Sequence, residues 1–184
     1  MIDREEALKL VQEHVKTRNI YLHMIEVEAI MRALAKRFKA DEELWGLTGL
    51  LHDIDYEYTK NDPSRHTLVA EEILGGKVSD EVLRAIKSHN HEYTGVEPRS
   101  PMEYALIASD GISGLIVACA LVMPSKKLAE VKPKTILKKF KQKDFARRVR
   151  RDRIMMCEKL GLSLQEFAEI SLEALKNISG ELGL

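Results

Sequence analysis

The chain has 184 residues, 45% of them apolar and 32% charged. That composition is far from a disordered one, and the length allows one domain with a substantial core. Twenty-nine basic and 29 acidic side chains cancel, so overall charge predicts neither a nucleic-acid nor a membrane partner.

From the N-terminus, "MIDREEALKL" carries charge where a signal peptide needs an apolar stretch. A cytoplasmic location is expected, in which Cys119 and Cys157, without metal-type spacing, stay reduced. Helical periodicity then recurs along the whole chain. The predicted helices cover 3–17, 19–38, 41–53, 63–75, 79–89, 101–122, 133–142, 145–160 and 163–180. Their starts are punctuated by Asp3 with Glu6, by Asp62-Pro63, by Ser100-Pro101 with Glu103, and by Ser163 with Glu166. Gly75-Gly76 and Gly161 fall where C-terminal caps belong. No alternating β pattern, repeat or linker is present. The expected fold is all-α, a single-domain helical bundle over residues 1–184.

The apolar run Tyr104–Val122 is about as long as a membrane span, but it contains Asp110. It reads as a central buried helix. The segment Lys132–Arg153 holds six lysines and five arginines against Asp144 and Asp152, a net +9. Ile136, Leu137, Phe140, Phe145 and Val149 keep an inward stripe there. A pair of amphipathic helices is therefore favoured over a polyanion-binding surface.

Metal-type side chains recur on the inward stripes. His23 aligns with Val27, Ile30 and Leu34; His66 with Val69, Ala70 and Ile73; His89 with Val82, Ala85 and Ile86. His52 and Asp53 end the apolar run "LTGLL". Asp110 is alone in its helix, and no lysine or arginine shares its stripe. A single inward histidine is ordinarily a hydrogen-bonded core residue, and His14 is read that way; His91 is placed in a loop. Four histidines with two carboxylates are different, because unpaired buried carboxylates are costly. A divalent cation compensates both, and imidazole with carboxylate oxygen suits Zn²⁺, Mn²⁺, Fe²⁺ or Ni²⁺ better than Ca²⁺.

The ordered set His23, His52-Asp53 and Asp110 resembles the HD superfamily of metal-dependent phosphohydrolases. "LLHDID" is close to the "LLHDIG" of one large branch. "RHTLVAEEIL" and "IKSHNHEYTG" are similar to the extra histidine segments of two-metal members. The likeness covers about residues 19–115, the expected metal-site core; residues 116–184 resemble the C-terminal helices of a smaller group of predicted hydrolases. It implies that His23, His52, Asp53 and Asp110 hold one ion and that His66 and His89 complete a second, bridged by Asp53. Departures are Asp55 in place of the glycine of "HDIG", and Tyr56 where some nucleotidases carry glutamate.

The reaction implied is hydrolysis of a nucleotide or other small phosphate ester by a metal-activated water. The expected cofactor is a divalent metal as two ions, among Mn, Fe, Ni, Co, Zn and Mg. Arg65, Lys60 and Lys87 are the candidate phosphate-holding residues. Asp53, Asp55 and Glu57 are the candidate catalytic residues, Asp55 and Glu57 as proton shuttles. The competing readings are a di-iron oxygenase and a nucleotide- or RNA-binding module without turnover.

Overall fold

The computed structural model describes residues 1–184 and is built of helices and turns without a strand. In chain order the helices are α1 (Arg4–His14), α2 (Arg18–Phe38), α3 (Glu42–Leu51), α4 (Tyr56–Thr59), α5 (Leu68–Leu74) and α6 (Asp80–His89). They continue as α7 (His91–Thr94), α8 (Pro101–Leu121), α9 (Pro133–Phe140), α10 (Arg151–Ile154), α11 (Leu164–Asn177) and α12 (Ser179–Leu182). Tight 3-10 turns cover Pro63–Arg65, Leu128–Glu130 and Met155–Leu160. Reciprocal capping boxes form at Asp3/Glu6, Ser100/Glu103 and Ser163/Glu166, each satisfying two backbone N–H groups that a helix start leaves free.

Two predicted helices are interrupted. The 63–75 segment breaks at His66 and Thr67, where Thr67 adopts a left-handed φ of 74°. The buried carboxylate of Asp55 accepts the backbone N–H groups of Thr67 (2.7 Å) and Ala70 (3.1 Å), so the chain is pinned out of helical register there. His66 consequently leaves the stripe of Val69 and Ala70 and sits in the break. The 145–160 segment is helical only from Arg151. Before it, the Arg151 guanidinium donates to the carbonyl oxygens of Ala146 and Val149, both at 2.8 Å, and of Gln142 at 3.1 Å. Those acceptors are turned toward a side chain and away from the next helical turn. Short α4 and α7 lie outside the predicted helices, and α7 takes up His91, expected in a loop.

α8 is the axis. Its buried face runs from Met102 through Leu106, Ile112 and Ile116 to Ala120. By length and composition it could cross a membrane, yet it lies mostly inside the protein. A cluster of 28 buried apolar residues gathers on it from α2, α9, α11 and the turns between them. A second cluster of 14 joins α1, α3, α5, α6 and the first half of α2. Both cysteines are buried and unbridged; burial pushes each thiol up to about 11. Close backbone approach places the site-bearing helices. A Cβ on Gly49 of α3 would stand 2.9 Å from the Val27 carbonyl of α2.

Candidate metal centre

The His-Asp pair follows α3 directly, because α3 ends at Leu51 and His52 keeps helical geometry as its cap. His52 is fully buried, and its Nδ1 donates to the carbonyl of Gly49 at 2.8 Å. The lone pair of the neutral ring is therefore on Nε2, which is buried and has no hydrogen-bond partner. His89, at the end of α6, repeats the arrangement with Nδ1 on the carbonyl of Ile86 at 2.6 Å. His66 places Nδ1 on Asp55 Oδ1 at 2.8 Å. In all three rings one nitrogen is tethered, which aims the other.

The aimed atoms converge on Asp53. Its Oδ2 lies 3.5 Å from His52 Nε2 and 4.0 Å from His23 Nε2. Its Oδ1 lies 3.4 Å from His66 Nε2 and 3.5 Å from His89 Nε2. Two groups able to hold a cation result, His23–His52–Asp53 and Asp53–His66–His89, with the ligand atoms of each within 4.8 Å of one another. They share one carboxylate, and each oxygen faces its own pair of imidazoles. Asp110 stands beside the first group, its Oδ1 3.1 Å from His23 Nε2. His23 Nδ1 is held from behind by Ser113 Oγ at 3.0 Å.

The residues fit divalent metal. His52 Nε2 is an orphaned acceptor in a dry position, an arrangement that costs stability unless a cation or donor arrives. His66 Nε2 and His89 Nε2 face each other at 3.0 Å, and two lone pairs at that distance repel unless a proton or ion lies between. Charge follows from these contacts. Burial opposes a cation at His66, but Asp53 and Asp55 prevail and raise it to about 10. Burial opposes it also at His23, where Asp110 and Glu26 carry the ring well above its ordinary value. At His52 burial wins, and the ring falls to about 4. Burial would raise Asp53, but the three imidazoles His52, His66 and His89 hold it well below the usual carboxylate range. A metal held by these groups would displace protons from His23 and His66.

Several expectations change. Asp55, proposed for proton transfer, is 0% exposed and committed to His66, Thr67 and Ala70; it orients a histidine and has no open face. Glu57 points to the α1–α2 junction, where its Oε1 accepts the backbone N–H groups of Lys16 (3.0 Å) and Thr17 (2.7 Å). Lys60 pairs with Glu57, and Lys87 with Glu71, each at 3.0 Å. Arg65 is exposed in the turn preceding His66 and forms no ion pair. His14 is half-buried at the end of α1 and bonds to the Tyr58 hydroxyl at 2.9 Å.

The site has one further neighbour that no periodicity marks. Arg153 of α10 meets Asp110 Oδ2 at 3.0 Å and also donates to the His89 carbonyl. No stripe of α8 could reveal this, since the cation arrives from 43 residues downstream. The signal present was Gly111. A Cβ there would stand 2.9 Å from Ile154 Cγ1, so the glycine lets α10 reach the helix that carries Asp110.

Part of the chain is similar in sequence to known proteins. The chain is 32% identical over 98 residues to Ribonuclease Y 2 of Levilactobacillus brevis, a stretch covering 53% of this chain and 18% of that protein. It is 28% identical over 102 residues to Ribonuclease Y of Rubrobacter xylanophilus, covering 52% of this chain and again 18% of the relative. The matched stretch is thus less than a fifth of either relative. No solved structure matches. The family model described as HD domain matches residues 20–115, which begin just before His23 and end just after Asp110, and the chain belongs to the HD domain family.

Proposed function

We infer that the chain hydrolyses a phosphate ester at a centre where Asp53, with two histidines on each side, would hold two divalent ions. The observation that carries this is the division of the Asp53 carboxylate, with one oxygen toward His23 and His52 and the other toward His66 and His89. HD domains form a metal-dependent phosphohydrolase superfamily, and the His/Asp groups fit divalent metal. His23, His52, Asp53 and Asp110 would hold the first ion; Asp53, His66 and His89 the second. Ions so held supply a water acidified toward neutral pH and positive charge for the phosphoryl oxygens.

The chain's own side chains do the rest. Asp55 fixes the His66 ring, and the carbonyls of Gly49 and Ile86 fix His52 and His89. Arg153 offsets the charge of Asp110 on the side away from His23. Exposed Arg65, next to His66, is the lysine or arginine of the original three still free to meet a phosphate. The test is turnover of phosphomonoesters and phosphodiesters with Mn²⁺, Co²⁺, Ni²⁺, Fe²⁺, Zn²⁺ and Mg²⁺ supplied separately, with oxygen uptake followed in the iron sample. Hydrolysis is expected; oxygen consumption without phosphate release would establish an oxygenase.

A nucleotide or another small phosphate ester is the general expectation for the substrate. The names of the relatives, ribonucleases, favour a second and narrower reading. In that reading the ester is a phosphodiester of RNA.

A further inference from the structure

Of the expected amphipathic pair, the first helix forms as α9, with Ile136 buried and Phe140 packed on the core, but the second does not. Residues 141–150 form no regular helix. Of the eleven cations between Lys132 and Arg153, Arg150 and Arg153 meet carboxylates, and Arg151 is consumed by backbone carbonyls. Lys139 rests over the Phe145 ring at 4.5 Å. The remaining seven, Lys132, Lys134, Lys138, Lys141, Lys143, Arg147 and Arg148, are exposed and have no ion-pair partner. The nine compensating negative charges are carried by the rest of the chain.

This surface is tied to the metal centre. α10 puts Arg151 on the carbonyls of the basic loop and, two residues later, Arg153 on Asp110 and His89. Arg150 reaches Glu92 of α7, the helix that follows His89. Next to Glu92, Tyr93 is 57% exposed. The free cations thus run from α9 into a loop whose end is joined, through α10 and α7, to the metal centre and to the helix that bears the exposed Tyr93. Cations take a phosphate backbone without regard to sequence, and aromatic rings take unpaired bases.

We propose that the basic segment 132–148, with Tyr93, is a binding surface for single-stranded nucleic acid that leads a strand toward the metal centre. The surface is independent of turnover; only its role in feeding substrate rests on the hydrolytic reading. A duplex hides its base faces from Tyr93, and an anionic bilayer offers none, so the single strand is the partner favoured.

Fluorescence anisotropy of a labelled 15-nucleotide oligouridylate with the full chain tests this between 50 and 200 mM salt. Each phosphate contact contributes about −0.7 to the slope of log affinity against log salt, so seven contacts give a slope near about −5. Lys138→Glu, Lys141→Glu, Arg147→Glu and Arg148→Glu combined, all at exposed positions, should weaken binding at least about 100-fold while circular dichroism stays unchanged. Tyr93→Ala should weaken the strand and leave the salt slope as it is. Absence of binding at 50 mM salt overturns the proposal, as does binding that the four reversals leave intact. Tighter binding of duplex, or of vesicles rich in phosphatidylglycerol, overturns it in favour of that partner. Binding with these properties by a protein that hydrolyses no ester would uphold the surface and refute the reaction. The four reversals should leave turnover of bis(p-nitrophenyl) phosphate unchanged.

Discussion

Asp53 and Asp55 lie two residues apart, yet their surroundings give them opposite tasks. Asp53 faces four imidazoles and has no backbone donor, whereas Asp55 accepts two backbone N–H groups and one imidazole. Asp53→Ala should therefore abolish both ions. His66→Ala or His89→Ala should leave about one per chain and lose most turnover, and His14→Ala should keep two. Elemental analysis with metal in excess reads this directly; a wild type that never exceeds one ion per chain sinks the two-metal centre. Asp55→Asn is a separate matter. It leaves the ligands in place but loosens the His66 ring, and outer-shell changes of this kind cost roughly 10–100-fold in metal affinity. That loss should fall on the second ion. Equal loss of both ions would mean that Asp55 supports the fold and not the ring.

At the level of helices, the site depends on how closely α3 approaches α2. With the Val27 carbonyl 2.9 Å from where a Gly49 Cβ would sit, Gly49→Ala forces backbone against backbone. A cost of about 1–3 kcal/mol is expected, with the His52 tether moved because Gly49 is its acceptor. Thermal unfolding together with metal affinity measures both effects, and an unchanged melting temperature would show that α3 can shift freely. Glu57 joins α4 to the α1–α2 junction, and hydrogen bonds led by Thr17 lower its carboxyl to about 2. A depressed folded value stabilises above the unfolded value of about 4.3. That contribution fades as pH falls toward 2. The stability gap between wild type and Glu57→Gln should thus be constant from pH 7 to 5, at about 1.5 kcal/mol for a charge-assisted backbone bond that is partly solvated. It should close near pH 2. A gap independent of pH would contradict the assignment.

The same elements show what sequence patterns can convey. His23 and His89 were legible because they keep helical spacing with apolar neighbours, and the capping boxes were legible because they are local. His66 points inward but not from a helix, since the break before α5 is imposed by Asp55, twelve residues before Thr67. Glu57 looked catalytic by proximity to Asp53; its partners are 40 and 41 residues earlier. Periodicity reports which face is buried, and it is silent about which distant group a polar side chain meets.

Across the whole molecule, the C-terminal helices complete what the family-matched stretch begins. Leu128, Val131, Ile136, Ile154, Cys157, Leu162, Phe167, Ala168, Leu172, Ala174, Leu175 and Leu182 all belong to the 28-residue cluster around α8. Removing them would bare the helix that is apolar enough to cross a membrane, and would take away Arg153. The full chain should accordingly stay in the supernatant after high-speed centrifugation without detergent and unfold in one transition, seen alike by far-UV and near-UV circular dichroism. A chain cut after residue 122 should aggregate or keep helix without a cooperative transition, as expected when specific packing is lost. Phe167→Ala, at a side chain with no exposure, is the milder version and should cost about 3–5 kcal/mol while two ions still bind at low temperature. If the 1–122 fragment melts cooperatively and holds two ions per chain, the C-terminal helices are an appendage, and the idea that the core and the metal centre form one unit is wrong.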